Sequence, residues 1–170
     1  LDVDPTAPEM VSAAEEMIAA GGGPGGKFRS IVFCGYGEPT ARLKAVREAA
    51  GRLARTGLPM RLNTNGQGSM INGRNIIPEL EEHFSSVSVS LNAPDADTYS
   101  RICRPDMGRK AFDAVLDFIR AAAASRMECV VTALDYGDVD IEATGKLVGS
   151  IPGATFRVRK YHYAGVSARG

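Results

Sequence analysis

The stretch Phe33-Cys-Gly-Tyr-Gly-Glu-Pro-Thr40 sets one carboxylate, Glu38, on backbone that two glycines strip of side chains. It follows the apolar run Ile31-Val32 and precedes a segment of helical spacing, so Gly35, Tyr36, Gly37 and Glu38 read as a loop at a strand end. Glycine lets a ligand come close to the backbone, and a carboxylate there suits an ammonium or a ribose hydroxyl. Small hydrogen-bonding side chains recur further on: Asn63 and Asn65, then Ser88, Ser90 and Asn92, then Thr132 and Asp135. Singly these are ordinary, since Thr-Asn-Gly is a turn sequence and Ser or Asn after a strand is a helix cap. Their coincidence at successive strand ends describes a ring that holds a polar cofactor by amides, hydroxyls and one charge. The ring has no Ser-His-Asp set, no histidine pair for a metal and no lysine, so it offers no nucleophilic or proton-transfer chemistry of its own. His83 and His162 read as surface or packing residues.

The elements that must position this ring follow from periodicity. Thr6-Ala-Pro-Glu9 is a capping box, and Met10, Ala13, Ala14, Met17 and Ile18 continue it as a helix over 6–20. Gly21-Gly-Gly-Pro-Gly-Gly26 ends that helix. With no Lys-Ser/Thr and no helix start behind it, this is a connector rather than a phosphate loop. Strands are expected at 28–34, 59–64, 87–91, 129–134 and 155–159. Helices are expected from Leu43 to near Gly57, over about 76–83, over 109–124, and from Asp140 to about 150. A polar loop runs from Gly66 to Asn75. Helices alternating with apolar strands imply right-handed βαβ crossovers and a parallel α/β sheet, with the ligand beyond the carboxyl ends of the strands.

Composition narrows the class. The 170 residues suit one domain, with 44% hydrophobic and 24% charged residues. Twenty basic residues balance twenty acidic ones, so no nucleic acid or anionic membrane is implied as a partner. Arg157, Arg159 and Lys160 read as a solvated strand end. No run reaches the roughly 18 apolar residues of a spanning helix, and the acidic N-terminus lacks the basic start of a signal peptide. Three scattered cysteines point to a reducing, cytoplasmic setting.

With the strand ends in place, Gly35-Tyr-Gly-Glu-Pro39 resembles the Gly-Gly-Glu motif of radical S-adenosylmethionine (SAM) enzymes. Leu62-Asn-Thr-Asn-Gly66 and Ser88-Val-Ser-Leu-Asn-Ala93 resemble their next two strand ends. More narrowly, "IVFCGYGEPT", "RLNTNG", "SVSVSLNAPDADTYSRICRP", "AFDAVLDFIR" and "FRVRKY" are similar to the TatD family-associated radical SAM proteins. The resemblance implies a partial (β/α)6-type TIM-like barrel and an enzyme that cleaves SAM with a reduced [4Fe–4S] cluster. It also implies cofactor roles: Gly35, Tyr36, Gly37 and Glu38 for the methionyl ammonium, Ser90 and Asn92 for the ribose or carboxylate, Asn63 or Asn65 along the cleft, and Arg104 as a further carboxylate contact. Glu38 is then expected to face the open mouth rather than a structural partner.

The family holds its cluster with C-x-x-x-C-x-x-C, and Cys34, Cys103 and Cys129 do not match that spacing. The expectation is therefore a single core domain, residues 1–170, without its first strand and cluster loop: about five strands, an inactive fragment, and a frayed tail over 160–170. The first visible strand would then have an open edge, covered by residues 1–26 or by a second copy. Two other readings fit fewer features: a non-catalytic metabolite-binding partial barrel, and a partial TIM-barrel lyase or aldolase. The substrate is not legible.

Overall fold

The computed structural model describes residues 4–23, 25–35, 37–137 and 139–160. Helix α1 (Ala7–Ala20) opens on the expected capping box, with Thr6 and Glu9 each bonding the other's backbone or side chain. Strand β1 (Ile31–Phe33) is three residues rather than seven, because pairing with its neighbour begins only at Ile31, whose N–H donates to the Pro59 carbonyl. Helix α2 (Leu43–Leu53) buries Leu43, Val46, Ala49, Ala50 and Leu53 on one face, at the spacing expected of an amphipathic helix. Strand β2 (Met60–Thr64) follows a turn at Gly57, whose φ of 69° is glycine's own territory.

The region read as a loop and one helix contains two four-residue helices, α3 (Gly68–Ile71) and α4 (Ile77–Leu80). Strand β3 (Ser86–Ser90) leads into α5 (Ala96–Cys103), which the periodicity did not reveal. Its start is set by Asp95, whose carboxylate accepts from the N–H groups of Asp97 and Thr98. Helix α6 (Lys110–Ala123), β4 (Glu128–Asp135), α7 (Ile141–Gly149) and β5 (Ala154–Lys160) complete the described chain.

All five strands pair in parallel in the order β1-β2-β3-β4-β5. Because the order never reverses, right-handed crossovers put every connecting helix on the same face of the sheet. Side-chain alternation shows the result. Met60, Leu62, Val87, Val89, Cys129 and Val131 join the helices in one buried core. The residues between them, Arg61, Asn63, Ser86, Ser88, Ser90, Val130 and Thr132, stand on the opposite, concave face and belong to no part of that core. A sheet covered on one side only is a barrel segment rather than a doubly wound sheet.

The outer edge of β1 pairs with no strand among the described residues, and Val32 is 37% exposed. The described part of segment 1–26 does not cover that edge: α1 packs on α2 instead. Strand β5 runs to Lys160, so a lysine does stand at a strand end, but on the same face as Phe156, which lies against Gly145 of α7. No helix among the described residues is long and apolar enough to cross a membrane.

Candidate cofactor site at the strand ends

Glu38 is held more tightly than its loop position suggested. It caps a short 3₁₀ turn over Pro39–Arg42. One carboxylate oxygen, Oε1, accepts from the Thr40 N–H at 3.0 Å, the Thr40 hydroxyl at 2.5 Å and the Thr64 hydroxyl at 2.8 Å. The other, Oε2, accepts from the Asn65 N–H at 2.7 Å. The expectation that Glu38 lacks a structural partner is therefore corrected. With β1 and β2 parallel and adjacent, a carboxylate at one strand end meets the free N–H and hydroxyl groups at the next, and bonding satisfies all of them. Among the described residues Oε2 carries a single bond, which leaves a second lone pair.

The turn that carries these donors is itself fixed. Thr40 is fully buried, and its carbonyl accepts from the Asn72 side chain at 2.9 Å. Gly66 sits at φ 81°, and a methyl there would come within 2.8 Å of Val89 and 2.9 Å of Val115. At Gly68 a methyl would meet the Thr40 hydroxyl at 2.4 Å. Gly37 differs: its φ is not in the left-handed region, and among the described residues other than its chain neighbours no atom lies within 4 Å of a methyl built on it. Gly37 therefore leaves open space beside Glu38, whereas Gly66 and Gly68 serve packing. Tyr36 lies outside the described residues, as does His162.

The other expected residues divide into two sets. Asn65 uses its Oδ1 to accept from the Gln67 N–H at 2.9 Å. Asn92, at φ 58°, uses its Oδ1 to accept from the Leu134 N–H at 2.9 Å, and its side chain also bonds Cys103. Asn92 is thus a clasp between the ends of β3 and β4, with its amide engaged. Asn63, Ser88 and Ser90 stand half-buried on the concave face. The Asn63 Oδ1 is buried with no donor, and neither serine makes a side-chain hydrogen bond among the described residues. Arg104 ends α5 at φ 46° and is exposed beside the β3 end, since its neighbour Cys103 lies against the Leu91 carbonyl.

Sequence reasoning missed the layer below. Tyr99 is 1% exposed and accepts from the Gln67 side chain at 3.0 Å. Burial pushes its phenol pKa up, the Gln67 bond opposes this, and the nearby Cys103 and Glu38 push it further up. Burial likewise raises the Cys103 thiol, against the bond from Asn92. Thr40 and Thr64 were visible as the residues flanking Glu-Pro and preceding Asn-Gly, but their hydroxyls pointing at one carboxylate could not be read without the register.

The cysteines do not fit an iron–sulfur cluster. Cys129 is buried in the helix-facing core against the Ile119 carbonyl, Cys103 is bound to Asn92, and Cys34 is exposed at the end of β1. No group of three metal-binding side chains exists among the described residues. His83 lies half-buried in an outer cleft of about 540 Å³ lined by Lys44, Arg47, Arg74 and Glu79. Arg47 pairs there with Glu79 and Glu82, Arg74 pairs with Glu79, and the Asn72 wall holds the Thr40 carbonyl, so the cleft is a salt-bridged seam behind the Glu38 turn.

None of the curated proteins matches the chain. Among solved structures it is similar to the crystal structure of a radical SAM methyltransferase from Sphaerobacter thermophilus, with a TM-score of 0.69 and 19% identity. That match covers 96% of this chain and 60% of the other, so the chain spans less than two thirds of the solved protein's length. At that identity the likeness shows the fold, a partial TIM-like barrel. The model of the Radical SAM superfamily matches residues 7–146, most of the 170. By that match over the strands and helices just described, the chain belongs to the radical SAM superfamily.

Proposed function

We propose that the carboxyl ends of β1 to β3 bind S-adenosylmethionine as part of a radical SAM enzyme. The observation that carries this reading is Asn63: a carbonyl oxygen buried without a donor among the described residues, on the concave face next to the Glu38 clasp. A buried acceptor left unpaired costs about 1–3 kcal/mol, so its retention asks for a ligand donor. SAM supplies donors of the right kinds in its ammonium, ribose hydroxyls and adenine amine. The second lone pair of Glu38 Oε2 takes the ammonium, Asn63 takes a hydroxyl or amine proton, and Ser88 and Ser90 bond the ribose or carboxylate. Gly37 leaves the space through which the methionyl end passes.

In these roles the chain's own residues bind and orient. Four donors fix the Glu38 carboxylate before any ligand arrives, so little reorganisation accompanies binding. When bound, SAM supplies the 5′-deoxyadenosyl radical chemistry of the superfamily. The described residues do not hold the cluster that would deliver the electron, and no step is assigned through it. Within the superfamily, the closest kinship proposed is with the TatD family-associated proteins, on "SVSVSLNAPDADTYSRICRP" above all.

The test is Asn63→Leu. Removing an orphaned acceptor leaves folding stability unchanged or raises it. SAM affinity by calorimetry should fall by roughly fivefold, the worth of one neutral hydrogen bond. Unchanged affinity, or a large loss of stability, would make Asn63 a packing residue and remove the support for this reading.

A further inference from the structure

We propose that the concave face beside β5 is an oxyanion subsite, in which Arg157 and Arg159 receive a carboxylate or phosphate of the substrate. This deepens the radical SAM reading and rests on it, since it takes the concave face as the reaction cavity. Strand alternation decides the orientation. Phe156 lies against Gly145 of α7, so Thr155, Arg157 and Arg159 occupy the other face of the strand, beside Val130, Thr132 and Leu134 of β4. Arg61 stands on the same face of β2, in line with Asn63, and its Nε is buried without an acceptor.

The pairing of the remaining arginines sharpens the point. On the helix layer Arg42, Arg47, Arg52, Arg55, Arg74, Arg109, Arg120 and Arg126 each meet a carboxylate. Among the described residues Arg61, Arg157 and Arg159 have no ion pair, although the chain carries as many acids as bases; Arg29 and Arg104 have none either, but neither belongs to a strand. Glu128 is the acid on their face, at the far end of β4 in line with Arg61 across Ser86. Arg157 stands opposite Thr132, four residues further on, and Arg159 opposite Leu134, six residues on. At about 3.3 Å per residue those gaps are roughly 13 and 20 Å, beyond a direct pair. Arg157 and Arg159 are themselves only about 7 Å apart by the same spacing. Two guanidinium forks at that separation converge on one tetrahedral or planar oxyanion, the geometry arginine recognises best.

The test uses the whole chain and the Nε–Hε signals of its arginines in 15N spectra. Inorganic phosphate and malonate are titrated separately, with chloride at equal ionic strength as the reference. Saturable shifts at Arg157 and Arg159, with midpoints at least tenfold below those of Arg52 and Arg120, support the subsite. The tighter of the two probes then names the phosphate or the carboxylate class. In Arg157→Gln/Arg159→Gln the saturable amide shifts at Thr132 and Leu134, opposite the two arginines, should be lost while the rest of the amide spectrum is retained, since both side chains are exposed. Shifts that match chloride, or are equal on the outer arginines, or persist at Thr132 and Leu134 in the double variant, overturn the proposal. SAM binding is read separately at the amides of Glu38 and Asn63. If SAM binds while neither anion does, the subsite alone falls; if the anions bind and SAM does not, the subsite stands and the cofactor reading falls.

Discussion

Replacing Glu38 by Gln exchanges one acceptor oxygen for an NH2 group within a clasp of four donors. If the amide oxygen keeps the Oε1 position, it retains the Thr40 N–H, the Thr40 hydroxyl and the Thr64 hydroxyl, now as neutral bonds. The new NH2 then faces the Asn65 N–H, which donated at 2.7 Å to the carboxylate. That bond is lost outright, at about 1.5–3 kcal/mol for a charged acceptor, and the other three weaken. Allowing for hydroxyl rotation and partial relaxation, a loss of roughly 2–4 kcal/mol follows. For a chain of this size each kcal/mol lowers the melting temperature by about 2–4 °C, so a drop on the order of 10 °C is expected. Urea unfolding at unchanged slope measures the loss directly. Thr64→Val should lose roughly 2–4 kcal/mol, because it removes one donor to the Glu38 carboxylate and also the acceptor of the Gly66 N–H, which is left buried and unpaired. A Glu38→Gln protein within 0.5 kcal/mol of the parent would refute the clasp.

Gly66→Ala should cost about 2–4 kcal/mol, from the left-handed φ of 81° and the collision with Val89 and Val115. Gly37→Ala should be neutral or slightly stabilising by urea unfolding yet weaken SAM binding, because its methyl enters empty space that the ligand would use. With Ellman's reagent at pH 8, Cys34 should react at once and Cys103 slowly, while Cys129 reacts only on unfolding. Burial pushes the Cys129 thiol up to about 11 from 9.0. The raised value favours the protonated folded form, so stability is full below pH 9 and falls as pH rises toward 11, by on the order of 2 kcal/mol. In Cys129→Ala the decline in unfolding curves taken between pH 8 and 11 should become shallower, what remains coming from Cys103 and Tyr99, which burial also raises. Anaerobic reconstitution of the 170-residue chain should leave no cluster, and iron and sulfide analysis giving about four of each would contradict this.

The strands and their parallel direction were legible because apolar periodicity and turn residues act locally. The capping boxes and acid caps at Thr6 and Asp140 set helix starts at the expected residues. Helix α5 escaped because its eight residues bury only Tyr99 fully, too little to leave an apolar stripe. The site was legible as residue types and not as roles. Asn65 and Asn92 matched the same polar pattern as Asn63, yet register engages the first two in strand-end bonds and leaves only Asn63 Oδ1 without a donor. The same limit hid the face shared by Arg61, Arg157 and Arg159. Their strands are far apart in sequence, and only the pairing of β2 through β5 brings them onto one surface.

The central claim, that the strand ends receive SAM, is tested most directly by mapping SAM onto the backbone amide spectrum of the uniformly 15N-labelled chain. The account predicts saturable shifts at residues 37–40, 63–66 and 88–92, and none in the outer cleft lined by Lys44, Arg47 and Arg74. Absence of saturable shifts at the strand ends, or shifts confined to that outer cleft, would contradict it.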